Sequence, residues 1–300
     1  MLGGRLPRAR HPAVGHHDAI VPQVSILLRI AYDGTGFSGW ARQKDRLDGT
    51  PIRTVQAEIE AGLSRLYGVP VLCRGASRTD AGVHARGQLA TFEPPSDIPP
   101  SGVVRALAGR LPRDVTVIAA WEEPLADVRG GNDGKHYRYR IRTTHARDPV
   151  GGRDEWHAGR PMDVRAMADA GLAFIGEHDF SGFRTANCQA HTTVRTITAL
   201  TVRGHPGPLG PVDPGHLDED RPDLGGDLVV IDVEGTAFLH NMVRIMVGTL
   251  GDIGLGRRGA DSIPRALASG ARDDAGPTAP ACGLTLVEVK WPSPAPDDKS

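Results

Sequence analysis

The chain has 300 residues, enough for one large core or two modest ones. Its 39% hydrophobic and 24% charged content, with no apolar run near the ~18 residues of a membrane helix, predicts a soluble globular protein. Cys73, Cys188 and Cys282 form no CxxC pair, which argues against zinc ribbons and disulfide frameworks and points to reduced thiols in a cytoplasmic protein.

Residues 1–23 carry Arg5, Arg8, Arg10, His16 and His17 without an apolar segment, so they read as a disordered lead-in and not as a secretory signal. Val24 to Tyr32 is apolar and β-branched and ends at Asp33-Gly34, a strand followed by a turn. Thr54 then caps a helix in which Val55, Ile59, Leu63 and Leu66 recur at helical spacing until Gly68 and Pro70 stop it. Val71 to Arg74 and His84 to Phe92 read as strands around the polar turn Gly75 to Gly82. Val103 to Leu111 is expected to be helical and Val115 to Trp121 extended.

That β-α-β-β-α-β order returns in the second half. The strand His136 to Arg142 is followed by the helix Val164 to Ile175, the strands Val194 to Val202 and Leu228 to Val233, the helix Ala237 to Leu250, a short helix near Ile263 to Ala268, and the strand Leu284 to Trp291. The expected class is α+β, with two similar split-βαβ halves over 24–125 and 126–291, each a mainly antiparallel sheet with helices on one face. Residues 204–227 hold six acids against Arg221, a local balance of −5 that leaves +4 for the rest of a chain whose total is −1. This stretch is read as a solvated insertion, and 292–300 as a loose tail.

The turn from Gly75 to Gly82 presents Arg78 and Asp80 amid small residues that permit close approach of a ligand. In isolation the simpler reading favours Asp80 bonding its own backbone and Arg78 in solvent. On the strand from His136 to Arg142, alternation puts His136, Arg138, Arg140 and Arg142 on one side and Tyr137, Tyr139 and Ile141 on the other. The basic side suits phosphates or simply faces water, and the sequence leaves both open. Arg244, between Val243 and Ile245, either reaches solvent or pairs with a carboxylate at a site.

Gly34 to Gly39 fits GxGxxG after a strand, so a dinucleotide-binding enzyme is an alternative. The residues from Trp40 to Arg53 show no helical apolar period to support it. No P-loop, HExxH or GxSxG occurs, and the scattered histidines suggest no metal site.

From about Val24 to Trp291 the chain resembles the tRNA pseudouridine synthase A family. The resemblance rests on Tyr32-Asp33-Gly34, Gly39-Trp40, the run Arg78-Thr79-Asp80-Ala81-Gly82-Val83-His84-Ala85, Tyr137-Arg138-Tyr139, Glu177-His178-Asp179-Phe180, Ala237-Phe238-Leu239 with Met242-Val243-Arg244, and Ala279-Pro280-Ala281-Cys282-Gly283-Leu284. It implies a cofactor-free and metal-free isomerase acting on the anticodon stem-loop of tRNA as a homodimer, with Asp80 as nucleophile. By the same resemblance Arg78 helps extrude the base, Tyr137 stacks on it, Arg244 pairs with Asp80, Leu284 lines the pocket, and His84 joins the substrate contacts. The chain departs from the family pattern at residues 126–132 and at Ala41 after Trp40. A non-catalytic RNA-binding module is the competing reading from another class.

Overall fold

The computed structural model describes residues 24–45, 48–124, 127–186, 188–205 and 227–292. The lead-in, and all but the ends of the acidic stretch and of the C-terminal tail, lie outside them. In the first half, β1 (Val24–Tyr32), α1 (Val55–Tyr67), β2 (Arg74–Gly75), β3 (His84–Phe92), α2 (Pro100–Ala108) and β4 (Val115–Pro124) follow the expected order. The second half comprises β5 (Gly134–Arg142), β6 (Trp156–His157), α3 (Val164–Gly171), β7 (Gly176–Asp179), β8 (Val194–His205), β9 (Leu228–Gly235), α4 (Met242–Gly254), α5 (Ser262–Ser269) and β10 (Leu284–Lys290).

All ten strands share one sheet in the order β4-β1-β3-β10-β5-β9-β8-β7, with β2 on β3 and β6 on β5. Each repeat has the split-βαβ order: β4-β1-β3-β2 in the first and β10-β5-β9-β8 in the second. They are joined by the short parallel pairing of β10 with β3, Thr285 opposite His84 and Leu286 opposite Ala85. Strand β2 occupies the other end of the same β3 edge, Arg74 opposite Thr91. The loop after β2 therefore leaves the sheet where the second repeat takes over.

Local chemistry explains where the elements begin and end. Thr54 accepts the Ala57 amide as N-cap of α1, and Gly68 closes that helix in the left-handed region at φ 72°. Helix α2 starts at Pro100, earlier than its apolar spacing suggests, because proline tolerates the first turn of a helix. Val71 to Cys73 stay out of the ladder because α1 satisfies Cys73 instead: Glu60 accepts its amide at 3.1 Å and Gln56 donates to its carbonyl at 3.0 Å. Helix α3 ends at Gly171 and tightens into a 3₁₀ turn, Leu172–Phe174.

The largest difference from expectation is α4. Apolar spacing extends it from Ala237, yet it begins at Met242, and Asn241 before it is left-handed at φ 62°. Residues 236–241 form a loop instead, and 237–241 line a cleft. Helix α4 has no side-chain N-cap bond and is held by its core face: Met242, Ile245, Met246, Val247 and Leu250 are fully buried. Each such side chain contributes roughly 1.5–3 kcal/mol, more than a cap supplies. Gly248 allows the segment 277–279 to cross this helix, since a Cβ there would collide with the Pro277 carbonyl. No helix among the described residues is long and apolar enough to cross a membrane.

The basic side of β5 is paired with carboxylates from neighbouring segments. Asp232 on β9 takes His136 at 2.6 Å and Arg138 at 2.9 Å, Asp154 takes Arg140 at 2.9 Å, and Glu155 takes both Arg140 and the fully buried Arg142. Burial opposes ionisation of Asp232, but hydrogen bonds from His136 and Arg138 outweigh it and hold the carboxyl below its ordinary range. The acids missing from the strand come from its neighbours, so the stripe is an internal ion-pair network.

Candidate active site

The turn that sequence spacing left ambiguous is rigidly built. Gln88 on β3 accepts the Ser77 amide at 3.1 Å and donates to the Ser77 carbonyl at 2.7 Å, fixing the start of the loop to the sheet. The Tyr32 hydroxyl bonds Thr79 Oγ1 at 2.7 Å, and the Trp40 amide donates to the Thr79 carbonyl at 3.0 Å. Gly39, at φ 96°, sits so close that a Cβ would lie 2.7 Å from that carbonyl. Gly34 and Gly39 thus serve close packing against this loop. Gly34–Gly36 form a 3₁₀ turn, and no α-helix opens there, so the dinucleotide-binding context is missing.

With both its flanks pinned, the loop projects Asp80 toward the second repeat. Asp80 Oδ2 faces Arg244 Nη1 at 3.4 Å, and Oδ1 faces His240 Nε2 at 3.2 Å. The Asp80 side chain retains 21% of its exposure, so it is neither buried in the core nor loose in solvent. Arg244 is held independently: Nε donates to the Ala279 carbonyl at 2.8 Å and Nη1 to Asn241 Oδ1 at 2.7 Å. The crossing segment that Gly248 admits is the one that supplies the Ala279 carbonyl.

These groups line an open cleft of about 800 Å³ together with Arg78, Tyr137 and Leu284. Tyr137 bonds Ser77 Oγ through its hydroxyl at 2.9 Å and stands edge-on to Phe238, with ring centroids 5.1 Å apart. Burial pushes the Tyr137 phenol up to about 12; the Ser77 bond opposes this slightly and the nearby Asp80 charge adds to it. Arg78 is exposed at the rim. Five of the six residues singled out in the sequence therefore meet in one cleft.

His84 does not join them. Strand alternation puts Val83 on the cleft side and turns His84 away, where it lines a separate depression with Asp33, Arg86, Arg113 and Arg153. Its Nδ1 accepts the Gly34 amide at 3.2 Å. A larger cleft of about 1020 Å³ shares Arg129 with the first, but its buried carboxylate, Glu60, is occupied by Arg42 and the Cys73 amide. No cluster of three or more His, Cys, Asp or Glu suited to a metal ion occurs among the described residues.

Two split-βαβ repeats sharing one sheet, with a carboxylate presented in the cleft at their seam, define a pseudouridine synthase fold. Residues 29–129 and 170–292 match the family model described as tRNA pseudouridine synthase. Similar proteins include the tRNA pseudouridine synthase A of Myxococcus xanthus, 42% identical over 263 residues that span 87% of this chain and 90% of that one. The protein of the same name from Geotalea uraniireducens (strain Rf4) is 39% identical over 265 residues, 88% of this chain and 98% of the relative. The chain belongs to the tRNA pseudouridine synthase family.

Sequence reasoning missed His240, Asn241 and Ser77, all at the cleft. Asn241 offered a signal, since asparagine directly before an apolar helical run marks a helix start. Ending the helix there frees Phe238 to His240 as loop residues. Nothing in the sequence marks Ser77 as the partner of a residue on another strand.

Proposed function

We propose that this protein isomerises uridine to pseudouridine in tRNA with Asp80 as the nucleophile. The observation that carries the reading is the Asp80 carboxylate, facing Arg244 and His240 at the wall of a cleft of about 800 Å³, within the ~300–1,000 Å³ typical of ligand sites. The carboxylate attacks the ribose or the base of an extruded uridine. The N1–C1′ bond breaks, the uracil turns, and C5 bonds to C1′ while the bond formed to the Asp80 oxygen breaks and frees the carboxylate; C5 loses a proton and N1 gains one, so composition is unchanged. Such a route draws on covalent catalysis by a positioned carboxylate.

Arg78 at the rim enters the space vacated by the flipped nucleotide, and Tyr137 and Leu284 form the apolar walls against the uracil. Arg244 supplies the counter-ion to Asp80. The anticodon stem-loop as the modified part of tRNA, a homodimeric enzyme and a cytoplasmic location extend the same reading; their support is the family resemblance. The basic side of β5 is assigned no role in it, because its charges already have carboxylate partners.

The test is Asp80→Asn, which keeps the shape and removes the nucleophilic charge. Pseudouridine formation in tRNA transcripts is expected to vanish while tRNA affinity stays within about threefold, since an uncharged side chain repels phosphates less. Wild-type turnover in this variant would eliminate Asp80 as nucleophile. A non-catalytic RNA-binding protein would form no pseudouridine in either case.

A further inference from the structure

Both oxygens of the Asp80 carboxylate face a nitrogen-bearing side chain, and only one such contact was expected. His240, in the loop before α4, directs Nε2 at Asp80 Oδ1 at 3.2 Å, while its Nδ1 lies 2.9 Å from the Thr185 hydroxyl. Thr185 is tied to the same residue a second time, its amide donating to the His240 carbonyl at 3.4 Å. Segments distant in sequence thus form a chain from Thr185 through the imidazole to Asp80.

Hydrogen-bond chemistry fixes the direction of this chain. An ionised carboxylate only accepts, so the ring must carry a hydrogen on Nε2 to face Oδ1 at this distance. In the neutral ring Nδ1 is then an acceptor, and the Thr185 hydroxyl donates to it. The carboxylate thus selects the tautomer, and Thr185, whose hydroxyl can donate as well as accept, holds the ring in place. Rotation about the last torsion of an aspartate side chain is soft, and one contact on one oxygen leaves it free. Arg244 faces Oδ2 and His240 faces Oδ1, so a carboxylate placed between them has one preferred orientation.

We infer that His240, with its ring held by Thr185, is a positioning residue that orients the Asp80 carboxylate for attack. This rests on the proposed role of Asp80 as nucleophile.

The test compares His240→Gln, His240→Asn, His240→Ala and Thr185→Val with Asp80→Asn in single-turnover and steady-state assays on a tRNA transcript. Glutamine carries its amide nitrogen near the place of Nε2 and is expected to keep kcat within about fivefold. Asparagine reaches only toward Thr185, and with alanine it is expected to lower kcat by about 10- to 100-fold with KM for tRNA within about twofold. Thr185→Val is expected to fall between these limits. Equal activity of the glutamine and asparagine variants, or a rise in KM with unchanged kcat as for an RNA contact, would overturn the inference. If Asp80→Asn is inactive while the His240 variants match wild type, only the role of His240 fails. If Asp80→Asn is active, the nucleophile assignment fails first.

Discussion

Arg244 and Asp80 are 164 positions apart in the chain, yet Nη1 of the one lies 3.4 Å from Oδ2 of the other, and the arginine is immobilised by contacts that do not involve the aspartate. The Asn241 side chain and the Ala279 carbonyl hold the guanidinium in place before any substrate arrives. Preorganisation of this kind makes a charge effective in a reaction, because no reorientation is required later.

It follows that Asn241 influences activity without touching Asp80. Asn241→Gly keeps the left-handed backbone at φ 62° and removes only the side-chain acceptor, whereas Asn241→Ala adds a conformational cost of roughly 1–2 kcal/mol. Both variants are expected to lose about 10-fold or more in kcat through misplacement of Arg244, and only the alanine variant should show a lower Tm. Full activity in the glycine variant would show that Ala279 alone suffices to hold the arginine.

Alkaline titration reads the burial of the aromatic residues directly. The chain has four tyrosines, and all four phenols are pushed up by burial, Tyr137 to about 12 and Tyr32, Tyr67 and Tyr139 in the same direction. A group whose folded pKa is raised contributes stability that is complete below its unfolded value and is lost as pH rises through the folded one. Near pH 10, where a free phenol is about half ionised, Tyr32, Tyr137 and Tyr139 of the native protein are expected to show almost no phenolate absorbance, and their signal should appear together with alkaline unfolding. A smooth titration of two or more tyrosines near pH 10 with the fold intact would contradict this packing.

Asp232 gives the opposite pH dependence. Its carboxyl is held below the ordinary range, so its contribution is present above the unfolded aspartate value of about 4 and fades as pH falls through the folded one. Asp232→Asn is expected to lose about 2 kcal/mol in denaturant unfolding at pH 7, because His136 and Arg138 lose a shared charged acceptor. The gap to wild type should narrow in strong acid. Pseudouridine formation by the folded variant is expected to change less than twofold, as the network lies on the side of β5 away from Tyr137; a collapse of activity would tie this face to RNA after all.

The order of strands and helices was legible because it depends on near neighbours in the chain: alternation in β5, apolar spacing and the Thr54 cap in α1, glycine and proline at the ends. The run from Arg78 to Ala85 was legible as a motif, but its residues were separable only by the sheet. Asp80 and Val83 face the cleft while His84, one position on, points to another depression. The same limit applied to the basic side of β5, whose carboxylates arrive from β9 and from the Asp154-Glu155 turn.

By itself, then, the sequence determined the repeated α+β plan, the family resemblance and the position of the acidic loop, since each is carried by short stretches whose spacing survives in one dimension. Tertiary structure alone decided which groups meet that acid. Arg244 and His240 reach it because β10 docks beside β3 and because Gly248 lets a distant strap cross α4, both of which are close approaches between segments far apart along the chain.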